Sequence, residues 1–130
     1  MPVIQSQVDP FSQHFAQNHA AMLTGIEQMR QLEQNLLNKA AEAKSRFDQR
    51  GQLLPRERLN LLLDPGAPFL ELASLAGYKL HDDKDGHSAG GGLIAGIGYV
   101  SGVRVVVVAN NSAIKGGTIS PSGLKKSLRL

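Results

Sequence analysis

Residues 92–110, GLIAGIGYVSGVRVVVVAN, decide the fold of this 130-residue chain. Two apolar runs, the second rich in valine, flank the dipeptide Ser101-Gly102, and this arrangement predicts a β-hairpin with a tight turn. Residues 105–108 are apolar on both faces, so we expect the second strand to be covered on both sides, as in an α/β layered protein. The glycines at positions 92, 96 and 98 predict places where the first strand lies close to other backbone.

Before the hairpin, residues 18–50 carry apolar side chains at a 4-3-4-3 spacing, which predicts a long amphipathic helix. The apolar stripe consists of Met22, Ile26, Met29, Leu36, Ala40, Ala43 and Phe47, and Glu33 interrupts it. About thirty helical residues extend roughly 45 Å, which is too long to bury against the rest of the chain. We therefore expect the stripe to meet another subunit or more of the same chain; the alternative is a helix that crosses its own domain.

Three shorter predictions connect this helix to the hairpin. Residues 1–17 precede the helix as an irregular arm, and Gly51 is a suitable residue to end it. Pro55 then opens a short helix with Leu59, Leu62 and Leu63 on its buried side, and residues 64–66 form a turn. Residues 69–75 alternate as a strand, and the polar, glycine-rich residues 81–92 are expected to form a flexible surface loop.

The last segment, residues 110–130, reads NNSAIKGGTISPSGLKKSLRL and regains helical character. Ser120 is the expected cap and Pro121 the expected first helical residue. Leu124 and Leu128 share one face of this helix. The basic residues Lys125, Lys126 and Arg129 are predicted on its other sides. Because such a short helix is not stable alone, we expect the chain to be the N-terminal part of a longer protein.

Composition excludes several kinds of site. The chain has no cysteine, so disulfides, thiolate zinc sites and cysteine nucleophiles are ruled out. The N-terminus lacks a secretory signal and the apolar runs are too short to span a bilayer, so we expect a soluble, cytoplasmic protein. The net charge is +3, and five basic but no acidic residues follow Asp85. This asymmetry favours an anionic partner, such as a phosphate, a nucleic acid or an acidic protein.

The familiar catalytic and metal motifs are not met. The glycines at 96 and 98 lead into a strand, so they do not form a dinucleotide fingerprint, and residues 115–118 have the residues of a P-loop ending in the wrong order. Residues 81–92 resemble a calcium loop but carry Gly92 where the bidentate acid is needed. We therefore assign no metal ligand and no catalytic side chain.

One candidate binding segment remains, formed by Lys115, Gly116, Gly117 and Thr118. It follows a strand and precedes a helix, where ligands of open α/β sheets commonly bind. Bare glycine N–H groups allow close approach of an anion, and Lys115 adds a positive charge. The segment therefore predicts contact with a phosphate or diphosphate; the alternative is a glycine turn that serves chain geometry alone.

Two stretches together resemble a known family. LPRERLNLLLDPGAPFLEL at 54–72 and GGGLIAGIGYVSGVRVVVVANNSAIKGGTISPSGLKKSLRL at 90–130 are similar to the start of the carboxyltransferase (β) subunits of biotin-dependent acyl-CoA carboxylases. Within that family they are most similar to the methylcrotonyl-CoA and geranyl-CoA carboxylase branch. The resemblance extends from about residue 26 to residue 130.

The resemblance implies a crotonase-like fold of ββα units, with residues 18–130 as the N-terminal part of a truncated N domain. It implies carboxyl transfer from carboxybiotin, carried on a biotin-bearing α subunit, to an acyl-CoA. Backbone oxyanion holes would stabilise the enolate; in the family they lie beyond residue 130, so we expect this chain alone to be inactive. Association between β subunits is also implied, and neither nucleic acid nor membrane is an expected partner.

Residues 115–118 match the family segment near the acyl-CoA, and we carry over a binding role for them. The stretch TISPSG at 118–123 replaces a bulkier, aromatic-containing stretch of the methylcrotonyl enzymes. This difference favours a longer terpenoid acyl chain, as in geranyl-CoA, over 3-methylcrotonyl-CoA. The alternative function is a non-catalytic interaction module, in which the long helix drives association and the basic C-terminal end binds an anion.

Overall fold

A computed structural model describes residues 5–81 and 83–130. The chain divides into two compact units, residues 1–32 and 33–130. Helix α1, Gln13–Ala41, begins before the expected position near Asn18. Ser12 explains the earlier start, because its hydroxyl accepts a hydrogen bond from the N–H of Phe15 at 3.2 Å and so caps the helix. In the first unit, Met22 and Met29 of the apolar stripe are largely exposed.

The predicted long helix is divided in two. After α1 ends, α2 forms over Lys44–Asp48. The stop at Gly51 is confirmed: its φ is +63°, and the N–H of Gln52 bonds the carbonyl of Phe47 at 2.9 Å, as in a Schellman cap. In the second unit the stripe is buried at Leu36, Ala40, Ala43 and Phe47. Glu33, the polar interruption, accepts a hydrogen bond from the Ser74 hydroxyl at 2.6 Å.

Helix α3 spans Pro55–Leu62, and fewer of its leucines are buried than predicted. Leu59 is buried, whereas Leu62 is half exposed, so the prediction for Leu62 is wrong in the described chain. At the N-terminus, the Glu57 carboxylate accepts the N–H of Leu54 at 2.7 Å and pairs with Lys44 at 2.9 Å. These contacts connect the first turn of α3 to α2.

The sheet has three antiparallel strands in the order β1-β2-β3. Strand β1 is Leu70–Glu71, β2 is Leu93–Val100 and β3 is Val103–Asn110. The predicted hairpin is confirmed, with Val100 opposite Val103 and Leu93 opposite Asn110. Its turn has positive φ at both Ser101 and Gly102, as a two-residue hairpin requires.

The strand predicted over residues 69–75 is only two residues long. The N–H of Leu72 still bonds the carbonyl of Ala95 at 2.8 Å, but Ala73 has a φ of +49° and turns the chain out of the ladder. The predicted close approach to other backbone is confirmed at Gly96 and at Gly92, which precedes β2, whereas Gly98 meets side chains instead. A Cβ on Gly96 would overlap Phe69 and the carbonyl of Leu70, and one on Gly98 would lie 2.7 Å from Leu63.

Strand β3 is not covered on both sides in the described chain, contrary to expectation. Val106 and Val108 are 54% and 48% exposed, whereas Val105 and Val107 on the other face are less so. Helix α3 packs against β3, but the described residues provide no second layer over Val106 and Val108. The core lies on β2 and the helices; its buried apolar residues are Leu36, Ala40, Ala43, Phe47, Leu59, Ala89, Leu93, Ile94, Ala95 and Ile114.

The predicted surface loop over residues 81–92 is partly interior. Asp83 is only 5% exposed, and its carboxylate accepts bonds from the N–H and hydroxyl of Ser88 at 2.7 and 2.8 Å. Residues 89–92 are buried beside helix α4, Pro121–Ser127. Asp82 lies outside the described residues. Among the helices of residues 5–81 and 83–130, none combines the length and apolarity needed to cross a bilayer.

Candidate functional site

The candidate binding segment, residues 115–118, is a tight turn that follows β3. The carbonyl of Asn111 accepts the N–H of Ile114 at 3.1 Å, and the carbonyl of Ile114 accepts the N–H of Gly117 at 2.9 Å. The Thr118 hydroxyl closes the turn by donating to the carbonyl of Lys115 at 3.0 Å. A short 3₁₀ helix, Lys115–Gly117, results. We call residues 115–118 the glycine turn.

The glycine turn contains three successive residues with positive φ. Lys115 has a φ of +44°, Gly116 of +65° and Gly117 of +81°. A side chain at the second position would meet nothing within 4 Å, whereas a Cβ on Gly117 would lie 3.2 Å from Ser112. Gly117 is therefore needed for packing as well as conformation. At Gly116 the backbone faces open space, which a ligand could approach closely.

Lys115 lines a cavity of about 660 Å³ in the second unit. Basic, acidic and imidazole side chains all face it: Lys39, Glu42, Arg46, His81, Asp83, Lys84, Asp85, His87 and Lys115. Lys39 is paired with Glu42 at 2.6 Å. One oxygen of the buried Asp83 carboxylate has no hydrogen-bond partner in the described structure. Thus both cationic and anionic side chains line the cavity, and one buried carboxylate oxygen among them has no partner.

Histidine and acidic side chains do not cluster in the described part of the chain. Within residues 5–81 and 83–130, no three histidine or acidic side chains lie close enough to hold a metal ion together. His81 and His87 share the cavity with Asp83, yet they do not form such a group. The N–H groups of Gly117 and Thr118 are already bonded within the glycine turn, contrary to the expectation of bare glycine N–H groups. What suits an anion here is the charge of Lys115 beside the open backbone at Gly116.

Helix α4 follows the glycine turn and confirms the predicted cap. The Ser120 hydroxyl accepts the N–H of Gly123 at 3.1 Å, and Pro121 is the first helical residue. Leu124 and Leu128, predicted to share one face, lie one helical turn apart. Leu124 and Leu128 are 57% and 78% exposed. The apolar face of α4 is therefore uncovered by the described residues.

Lys126 is the residue that sequence reasoning misplaced. It was expected on an outer side of α4, but it is 5% exposed. Its ammonium donates to the carbonyl of Leu93 at 2.8 Å and, more weakly, to that of Gly90 at 3.4 Å. Burial lowers the pKa of Lys126; the nearby Glu71 carboxylate opposes this effect and Arg56 adds to it.

The neighbours of Lys126 form a polar cluster. Arg56 makes a bidentate ion pair with Glu71, with N–O distances of 2.8 and 2.9 Å. A signal for the burial of Lys126 exists in the sequence, although it is weak. Gly90, Gly91 and Gly92 form a run without side chains, and such a run leaves main-chain carbonyls open to a long donor.

Comparison of the chain with known proteins identifies its relatives. The profile described as carboxyl transferase domain matches residues 46–130. The chain is similar to the probable mitochondrial methylcrotonoyl-CoA carboxylase beta chain of Drosophila melanogaster, with 41% identity over 98% of this chain and 22% of the relative. It is 54% identical to the biotin-dependent 3-methylcrotonyl-coenzyme A carboxylase beta1 subunit of Mycobacterium tuberculosis, over 67% of this chain and 16% of that protein.

A solved structure is similar over nearly the whole chain. It is the geranyl-CoA carboxylase beta subunit of P. aeruginosa, with a TM-score of 0.84 and 66% identity. The alignment covers 98% of this chain and 24% of that structure. The chain therefore spans about a fifth to a quarter of the length of these relatives. With the matched profile covering most of its sequence, this chain belongs to the carboxyl transferase domain family.

Proposed function

We propose that this chain is the N-terminal part of the carboxyltransferase subunit of a biotin-dependent acyl-CoA carboxylase. Residues 18–130 would begin an N domain of crotonase-like fold. The observation that carries the proposal is the 66% identity to a geranyl-CoA carboxylase beta subunit across 98% of the chain. The glycine-spaced strand and the glycine turn both lie in the region that the family profile covers.

The proposed reaction transfers a carboxyl group from carboxybiotin, held by a biotin-bearing α subunit, to a branched enoyl-CoA. Carboxybiotin, once bound, would supply the carboxyl group and its ureido nitrogen would take up the proton of the acyl-CoA, on which the new C–C bond would form. The catalytic elements of such a reaction are expected beyond residue 130. What residues 5–81 and 83–130 contribute is binding.

The glycine turn is the proposed contact with the acyl-CoA. Lys115 supplies a positive charge at the edge of a cavity of about 660 Å³, and Gly116 presents backbone with no atom within 4 Å of where a Cβ would lie. Both features favour a phosphate group, because charge attracts it and a backbone position without a side chain lets it approach closely. Gly117 and Thr118 maintain the conformation of the turn.

The substrate is proposed to be geranyl-CoA, with 3-methylcrotonyl-CoA as the second candidate. Residues 118–123 contain no aromatic side chain, and Ile119 is half exposed. Smaller side chains leave more room for a terpenoid chain. The beta subunits are also proposed to associate with one another.

The decisive experiment uses the complete subunit assembled with its biotin-bearing partner, supplied with ATP and labelled bicarbonate. We expect label to be incorporated into geranyl-CoA, and less efficiently into 3-methylcrotonyl-CoA. Lys115→Ala should raise the KM for the acyl-CoA by about tenfold, the loss of one charge-assisted contact. Assembly without incorporation into either thioester would contradict the proposal and favour the interaction-module alternative.

A further inference from the structure

The glycine turn and helix α4 are attached to the start of β2 by direct backbone contact. A Cβ on Gly92 would overlap the carbonyl of Thr118, the last residue of the turn. In the first turn of α4, a Cβ on Gly123 would overlap the carbonyl of Gly91. Two segments distant in sequence thus lie backbone against backbone. These van der Waals contacts are close, but they are less directional than a hydrogen bond.

Lys126 supplies a directional contact to the same attachment. From the end of α4, its ammonium reaches back to the carbonyls of Leu93 and Gly90, which flank the two glycines just described. The bond to Leu93, at 2.8 Å, is short and charge-assisted. Thr118 at one end and Lys126 at the other therefore hold α4 and the glycine turn to one short stretch of backbone, residues 90–93.

Burying a positive charge at this position costs desolvation free energy. Its two acceptors are main-chain carbonyls, and the Arg56–Glu71 pair is the charged pair that faces it. An apolar side chain of similar length would avoid the desolvation of an ammonium. Buried charges are weak contributors to stability, and their best-attested use is to fix one arrangement among several. The contacts of Lys126 are of that kind.

We propose that Lys126 is a positioning residue that fixes the glycine turn against residues 90–93 and thereby sets the affinity of the acyl-CoA site. This inference rests on the proposed function, because it assigns the glycine turn to the acyl-CoA. Lys126 does not touch the ligand. It acts through α4 and Thr118, so its loss changes the position of Lys115 and Gly116 and leaves the chemical step intact.

The test compares Lys126→Met with Lys125→Met in the complete subunit assembled with its biotin-bearing partner. Lys125 is the matched control because it is the exposed neighbour on the same helix. Lys126→Met should raise the KM for geranyl-CoA by about tenfold, with kcat within about twofold of the parent, as expected for the loss of a charged hydrogen bond. Lys125→Met should change neither constant. Lys126→Arg, which keeps a donor, should restore most of the affinity.

Amide hydrogen exchange gives a second measurement that does not require turnover. In Lys126→Met, exchange should accelerate at residues 116–118 while β2 and β3 remain protected. If the variant does not fold, Lys126→Gln replaces it and the same two measurements decide. A lower melting temperature with unchanged KM and unchanged exchange in the turn would overturn the inference, and so would a lower kcat at unchanged KM. A parent complex without carboxylation would instead overturn the proposed function, while exchange would still decide whether Lys126 fixes the turn.

Discussion

Gly123 and Gly25 both lie in helices, but their surroundings differ. Gly123, in α4, has the carbonyl of Gly91 where a Cβ would be, whereas Gly25, in α1, has no atom within 4 Å. Neither has a positive φ, so conformation does not separate them. Any difference on substitution by alanine must therefore come from packing.

Gly123→Ala is expected to lower the free energy of unfolding by about 2–4 kcal/mol, because two backbones must separate to admit the methyl group. Gly25→Ala, the matched control, should raise helix stability by about 0.5–1 kcal/mol, since alanine is the better helix former. Denaturant titration of the complete subunit measures both changes. Equal effects at the two positions would contradict the close contact between α4 and residues 90–93.

Lys126 makes stability depend on pH in the alkaline range. Burial lowers its pKa in the folded state from the ordinary value of 10.5. Between the lowered pKa and 10.5 the unfolded chain binds more protons than the folded one, so the free energy of unfolding rises with pH. Below the lowered pKa both states are protonated and the full cost of burying the charge remains.

We therefore expect the stability of the parent, relative to that of Lys126→Met, to increase as the pH rises towards 10.5. The difference between the two proteins isolates Lys126 from the other lysines and tyrosines that titrate in this range. Denaturant unfolding at a series of alkaline pH values measures it. Parallel stability curves would show that Lys126 is not desolvated in the folded protein.

Among the elements, the turn of the β2–β3 hairpin is hydrogen-bonded to the side chain of the residue that follows the C-cap of α3. Asp64, which follows α3, accepts the N–H groups of Ser101 and Gly102, each at 2.7 Å. Both turn residues have positive φ, a conformation that is unfavourable for serine. The carboxylate compensates for this conformation, so the helix and the hairpin form one connected unit.

Asp64→Ala should destabilise the protein by about 1–2 kcal/mol, through loss of two charge-assisted bonds at an exposed site. Hydrogen exchange should accelerate at Ser101 and Gly102 before the rest of the hairpin. Asp64→Asn retains an acceptor oxygen and should lose less. The same acceleration across the whole of β2 and β3 would contradict a local role for Asp64.

Sequence patterns predicted those elements whose signals are local. The Ser-Gly turn, the stop at Gly51 and the cap at Ser120 each depend on residues within one turn of chain, and all three are confirmed. Several features that depend on distant residues were predicted wrongly. The burial of Lys126 depends on a glycine run more than thirty residues away, and the length of β1 on the conformation of Ala73.

At the scale of the whole molecule, the residues of the candidate site could be predicted from the sequence, but the residues that surround them could not. Lys115 and the two glycines after it could be chosen from sequence because charge and missing side chains are visible there. Their attachment to residues 90–93, and the cavity shared with Arg46 and Asp83, depend on tertiary packing. The binding role of the glycine turn stays a prediction.

The exposed face of β3 leads to a last prediction for the molecule as a whole. Val106 and Val108 are 54% and 48% exposed and share one face of β3, a strand at the edge of the sheet. Exposed apolar side chains on an edge strand favour association with other chains. A polypeptide of residues 1–130 alone should therefore self-associate with increasing concentration, as sedimentation velocity would detect.

The opposite faces of β3 provide the control for that prediction. Replacing Val106 and Val108 by threonine removes apolar surface but keeps β-branching, and should reduce association without large loss of stability. Val107→Thr changes the opposite, less exposed face of β3, so it should lower stability and leave association unreduced. The two outcomes separate because successive residues of a strand point to opposite faces. If the threonine pair left the sedimentation unchanged, the association would have to arise elsewhere, with the exposed Leu124 and Leu128 of α4 as the next surface to test.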